Sequence, residues 1–369
     1  MNTIAGSPPA RAPYTPSWMD RLTAWLDRMP GPVWSYYLAA AAAYCAVFLG
    51  IQASQGAYAG QGFYPWHIFL ALQPIFALAM MHYLDHAASG ALARFGPAMA
   101  SGQAQIEETH YRLTTLPARR TWIATVAGVL AYLTLFGSQV VGSDSTPSGT
   151  SSPSALQAFG LSTTPLSLIM VALTFFLLWA FMGVLVYHTV QQLNVVRGLF
   201  VAEVSVDPFQ PEPIYAFSSV TGLTAVLLLL NSYGWVWGVL AGPGQAAGVP
   251  TGPVLLVNVF FAALGIFLFV WPLWGAHRVL SLAKNQALAR NADHFRTAAA
   301  EIHRKVAAKQ GQGIDDWHKA LAALDLERSQ IQKIATWPWR PEALRGLVVA
   351  ILLPIAIWII QRLLERFIT

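Results

Sequence analysis

Apolar residues fall in seven long runs, at residues 33–53, 66–85, 121–141, 165–190, 215–240, 253–274 and 344–364, separated by polar or Gly- and Pro-rich stretches. Each is close to the ~20 residues a helix needs to cross the hydrocarbon of a bilayer. The pattern predicts an all-α, polytopic membrane protein with seven transmembrane helices. The second run contains Pro74, and the fourth continues without a stop signal through Gln191 to Leu199, which predicts a helix that projects into water.

The polar stretches divide the chain further. Residues 1–16 are rich in Pro and Ala and predict a disordered arm. Ser17 with Asp20 three residues on reads as a capping box. It opens a helix over residues 17–29 whose Trp18, Leu22, Trp25, Leu26 and Met29 share one face, with Asp20, Arg21, Asp27 and Arg28 mostly off it. Such a helix lies in the membrane interface or packs as a soluble helix on an internal base. Pro30-Gly31-Pro32 ends it. Residues 33–274 form a six-span membrane domain with cytosolic extensions, 275–341 a cytosolic helical hairpin, and 342–369 the seventh span and C-terminus.

In the hairpin, Leu288, Ala292, Phe295, Ala299, Ile302 and Val306 alternate steps of four and three, the spacing of an amphipathic helix continuing from the sixth span. Gln310-Gly311-Gln312-Gly313 breaks it, and Asp315 or Asp316 can cap a second helix. There Trp317, Leu321, Leu324 and Ile331 keep near-heptad spacing. That arm can pack on the first or on a neighbouring subunit, so Trp317, Leu321 and Leu324 are candidate partner-binding or oligomer residues. Trp337-Pro338-Trp339-Arg340-Pro341 stops the helix before the last span.

Composition agrees with the pattern. The chain is 55% hydrophobic and 11% charged, where soluble domains carry about a quarter charged residues. Of the 22 Lys and Arg, eight lie between Arg11 and Arg197 and twelve between Arg278 and Arg345, all in segments that share one side of the membrane; only Arg362 and Arg366 fall outside. By the positive-inside rule the N-terminus is inside and the C-terminus outside, in the cell's inner (plasma) membrane. The net charge of +5 is thereby accounted for by topology, and no nucleic-acid partner is needed. Cys45 is the single cysteine, which excludes an intrachain disulfide. The first thirty residues lack the apolar segment and small-residue site of a removable signal peptide.

Candidate chemistry is sparse. The chain has no G-x-x-x-x-G-K-[ST], H-E-x-x-H, C-x-x-C or G-x-S-x-G, which removes the common nucleotide, zinc-protease and hydrolase readings and points away from an enzyme. His82, Asp85 and His86, at i, i+3 and i+4, share a helix face. His188 closes the fourth span and His277 the sixth at similar depth. Imidazoles and a carboxylate at one level suit a transition metal, and paired imidazoles suit haem; the plainer reading is that titratable groups collect where spans leave the membrane. Gln73, Asn231 and Asn258 are the polar residues deep in the runs, and no Asp, Glu, Lys or Arg lies near a span centre. That disfavours an ion-coupled transporter, which uses such a residue. In the last run Pro354, Ile357, Trp358 and Gln361 fall on one side at helical spacing. They form either a largely apolar pore wall or one face of an ordinary helix with a snorkelling Arg362.

This layout resembles the seven-transmembrane ion channels that include insect odorant and gustatory receptors. The shared features are an inside N-terminus, a short helix before the first span, a longest outer loop between spans three and four, and an internal helical base leading into the last span. That family's last span carries Thr-Tyr, then five hydrophobic residues and Gln; Ala356 to Ile360 and Gln361 match, and Pro354-Ile355 stand in place of Thr-Tyr. The resemblance implies a ligand-gated channel, a homo-oligomer of four subunits around a pore lined by the last span, and a small-molecule ligand pocket among the outer halves of the early spans. The segments Pro213 to Ser218 and Thr336 to Trp339 are similar to those of uncharacterised bacterial seven-span proteins. Two other functions stay open: a signalling or scaffold protein acting through its hairpin, and a metal- or haem-binding membrane protein.

Overall fold

The structure, a computed structural model, describes residues 12–59, 62–99, 103–141, 160–200, 212–240, 251–309 and 314–368, with the backbone alone at 135–141, 236–240, 251–255, 257–258, 314, 354–355 and 357–368. The described residues hold ten α-helices and two short 3-10 turns, and an isolated β-bridge joins Pro16 to Pro117.

Both halves of the capping box are in place at α1 (Trp18–Asp27). The Asp20 amide donates to Ser17 Oγ at 3.2 Å and the Ser17 amide to Asp20 Oδ2 at 2.7 Å. Met19, Thr23 and Leu26 face inward, and Trp18 stacks on Phe181 and lies against Trp122, while Trp25 stays exposed. The chain ahead of α1 is anchored from Tyr14 on. The Tyr14 hydroxyl donates to the Thr115 carbonyl at 2.8 Å, the Tyr111 hydroxyl to the Tyr14 carbonyl at 2.6 Å, and the Ala118 amide to the Thr15 carbonyl. The end of the segment expected to be a disordered arm therefore docks on the turn around Thr115 to Ala118; residues 1–11 lie outside the described residues.

Pro30-Gly31-Pro32 turns the chain into α2 (Val33–Ser54), with Gly31 at φ +106, a conformation that favours glycine. Then follow α3 (Trp66–Phe95), α4 (Gln103–Thr114), α5 (Ala118–Val141), α6 (Pro165–Leu199), α7 (Ser218–Leu240), α8 (Thr251–Ala307), α9 (Ile314–Lys333) and α10 (Pro341–Ile368). Five helical segments, Val33–Ser54, Trp66–Ala98, Pro165–Leu199, Ile214–Trp235 and Val259–Ala307, are long and apolar enough to cross a membrane among the described residues. The third and seventh expected spans are the helices α5 and α10, which are not among these five. Large apolar side chains stand exposed along the helices, among them Trp34, Ile169, Leu256 and Val259. Soluble monomers do not carry so much contiguous apolar surface.

At the centre of the bundle α3 touches α2, α4, α6 and α7. The closest helix pair is α5 with α6. A Cβ on Gly128 would stand 2.1 Å from the Trp179 carbonyl oxygen, and one on Gly183 2.3 Å from that of Ala124. The two backbones thus cross in contact, the mode of helix association that membranes favour because lipid tails compete for larger side chains. At 57 residues, α8 is roughly 85 Å long at 1.5 Å per residue, and its second half forms the hairpin with α9. The seam differs from the expected apolar stripe. Asn291 and Ala298 are buried, while Phe295 and Val306 stay exposed. Asn291 Nδ2 donates to the Leu324 carbonyl and to Glu327, and Lys284 Nζ donates to the Gln332 and Ile334 carbonyls at the end of α9. A cation on the last carbonyls of a helix offsets their uncompensated partial charge. Trp317, Leu321 and Leu324 are half-buried as α9 packs on α8 of the same chain, so they form no bare docking stripe.

Candidate functional site

Where α1 ends, α2 begins and α3 leaves its apolar half, two histidine–carboxylate groups lie side by side. In the first, Asp27, the last residue of α1, meets His82 and His86 of α3. Asp27 Oδ1 is 3.1 Å from His82 Nε2 and 3.9 Å from His86 Nε2. The ligand atoms of the three residues all lie within 4.8 Å of one another. His82 is buried, whereas Asp27 and His86 remain open, with side chains 43% and 56% exposed. The histidine spacing of four brings both rings onto one face of α3, their centroids 4.7 Å apart. Asp27 reaches them because Pro30-Gly31-Pro32 folds α2 back and holds the end of α1 against α3. A carboxylate is disfavoured at a helix C-terminus, and α1 has no basic residue in its last turn; the two imidazoles are its partners.

The far side of each ring is also held. His86 Nδ1–H donates to the His82 carbonyl at 3.0 Å, which leaves Nε2 as the lone-pair nitrogen of the neutral ring. His82 Nδ1 meets the Tyr37 hydroxyl of α2 at 2.8 Å. A hydroxyl both donates and accepts, so Tyr37 supports His82 as a donor to Asp27 and equally as a ligand through Nε2. Hydrogen bonds to the distal nitrogen orient metal-binding imidazoles and raise their basicity.

The second group is closed. His188 of α6 places Nε2 2.7 Å from Asp85 Oδ1, with side chains 4% and 16% exposed. Asp85 is an acceptor here, so His188 Nε2 carries the hydrogen. Gln192, one turn on, has its amide Nε2 within donating distance of the carbonyls of Leu84 and Leu113 and of Asp85 Oδ1, at 3.3 to 3.5 Å. His188 Nδ1 is buried and has no hydrogen-bond partner among the described residues. Close by, Asp20 Oδ2 also accepts the Leu116 amide at 3.1 Å. Burial pushes the Asp20 carboxyl up to about 6, against the hydrogen bonds from Ser17 and Leu116 and with the help of the Asp85 charge.

The five residues that sequence alone put at one level thus separate three ways. His82 and His86 come together, with Asp27 in place of Asp85. Asp85, on the adjoining flank of α3, pairs instead with His188. His277, on α8, lies apart, stacked on Trp337 at 4.0 Å and bonded through Nδ1–H to the Thr336 carbonyl at 3.1 Å, where it clamps the turn after α9. His82 and His86 point from one face of one helix, while His188 bonds Asp85 and His277 the Thr336 carbonyl. Asp27 and Tyr37 were missed because nothing local marks them. The side chains of Pro354, Ile357, Trp358 and Gln361, on α10, lie outside the described residues. Compared with protein-family models, with curated proteins and with solved structures, the chain matches none.

Proposed function

We propose that this chain is a polytopic protein of the inner (plasma) membrane that binds a divalent transition-metal ion through Asp27, His82 and His86. One observation carries the reading: two imidazole Nε2 atoms and a carboxylate converge while the opposite nitrogen of each ring is already bonded. In a tetrahedral zinc site with bonds of roughly 2.0–2.1 Å, ligand atoms lie about 3.3 Å apart. The Asp27 distances of 3.1 and 3.9 Å bracket that edge, so small side-chain rotations complete the site. Two histidines and one carboxylate leave a coordination position open to water or a small ligand, and suit Zn²⁺ or Fe²⁺. Because the ligands come from α1 and α3, the ion ties the short amphipathic helix to the central helix of the bundle, and its arrival or loss changes how firmly α1 is held. Titrating Zn²⁺ into the protein in lipid nanodiscs, by calorimetry, tests this. One equivalent is taken up, and His82→Ala with His86→Ala weakens binding at least ~100-fold, since each ligand lost costs more than the ~10–100-fold of a supporting hydrogen bond. Unchanged uptake by the double variant sinks the reading.

A second reading is an oligomeric, ligand-gated channel whose last helix lines a shared pore. It is supported by α10, which packs chiefly on α7 and leaves Val348, Val349, Leu352 and Leu353 exposed, a free side that lipid or further copies of the chain would cover. Planar-bilayer recording of wild type beside Gln361→Ala separates the two: a conductance altered by the substitution places α10 at a pore.

A further inference from the structure

At the end of the bundle that holds α1, a groove of about 610 Å³ runs between the α4–α5 turn and the last turns of α6. Arg112, Arg120, Tyr14 and Asn194 line its polar side, and Val190 and Val195 its apolar side. Arg112 spends one edge of its guanidinium on Glu108, at 2.6 Å. Arg120 is exposed and makes no ion pair among the described residues. Beyond the groove the wall turns wholly apolar. Trp122 and Ile123 follow Arg120 on α5, Val186 lies one turn before Val190 on α6, and all four are more than 45% exposed.

We propose that the groove holds the phosphodiester headgroup of an anionic phospholipid, with Arg112 and Arg120 on the phosphate and the acyl chains along Ile123, Val186 and Val190. Guanidinium groups bind phosphate oxygens through paired, charge-assisted hydrogen bonds. Basic pockets between helices at the internal membrane face bind anionic headgroups for this reason. A soluble phosphate would meet the same arginines and leave the apolar wall unused, so the lipid is the occupant that uses both halves of the surface. The proposal rests on the membrane reading of the helices and is independent of the metal ion.

Native mass spectrometry of the protein in neutral detergent, titrated with phosphatidylglycerol, is the test, with thermal unfolding followed in parallel. Wild type retains one phosphatidylglycerol and unfolds at higher temperature with it. Arg112→Gln with Arg120→Gln weakens retention at least ~tenfold, whereas Arg119→Gln, outside the groove, leaves it unchanged. Gly198→Trp, at a groove position where an added side chain meets open space, obstructs the groove without altering charge and abolishes the adduct too, which covers the case that the double variant folds poorly. Retention by both variants equal to wild type overturns the proposal, and displacement of the lipid by millimolar inorganic phosphate overturns the choice of a lipid.

Discussion

Two histidine–carboxylate groups sit side by side on α3, built from the same chemistry and put to opposite use. Asp85–His188 is enclosed, spans two helices that form the core, and has Gln192 filling the remaining space. Asp27 with His82 and His86 is open on one side and joins the core to a peripheral helix. A buried pair is costly to break because the partner left behind keeps its charge or polar atom without water. An exposed one contributes little by itself, since solvent screens it. The lesson is that burial, and not residue type, separates a structural clamp from a site that can exchange its ligands.

The comparison is sharpened most by His188→Ala. It costs about 3–5 kcal/mol of stability in denaturant unfolding in detergent and leaves Zn²⁺ affinity within a factor of about two of wild type; an equal loss of affinity would merge the two groups into one. Next is Asp20→Asn, which keeps the acceptor oxygen for the Ser17 and Leu116 amides. The folded carboxyl titrates at about 6, above its ordinary 3.8. Between these values the folded state binds more protons than the unfolded, so wild-type stability rises as pH falls from 6 toward 4 and its cost is complete above 6. The Asn variant loses that dependence and gains about 3 kcal/mol at pH 7; unfolding curves across pH 4–7 decide it. Tyr37→Phe removes the support behind His82 and weakens Zn²⁺ binding about tenfold with little change in fold, read by the same calorimetric titration. Smallest is Asp27→Asn in the absence of metal, whose effect on unfolding stays under about 1 kcal/mol.

Much of the fold was legible because a helix writes its period and its length into the chain. The capping box of Ser17 and Asp20, the run of α6 through to Leu199 and the continuity of α8 past the apolar stretch all appear where spacing put them. The hairpin seam did not, since Asn291 wins its buried place through two bonds to α9 that apolar periodicity does not register. The site was half legible. Residues 82 and 86 are linked by the helical turn, which any i, i+4 pair reveals. Asp27 and Tyr37 lie 55 and 45 residues away from His82, and only the tight turn at Gly31 and the packing of α1 bring them there. Helical spacing grouped Asp85 with them and equal depth added His188 and His277, but neither says which partner a neighbouring helix brings to each residue.

The most direct measurement is X-ray absorption at the zinc edge of the protein reconstituted with one equivalent of Zn²⁺. The account predicts a first shell with two imidazole nitrogens and at least one carboxylate oxygen at about 2.0–2.2 Å, and a spectrum that loses its imidazole scattering in the His82→Ala plus His86→Ala protein. A first shell of water and carboxylate oxygens alone, or an imidazole signal that survives the double substitution, would contradict it.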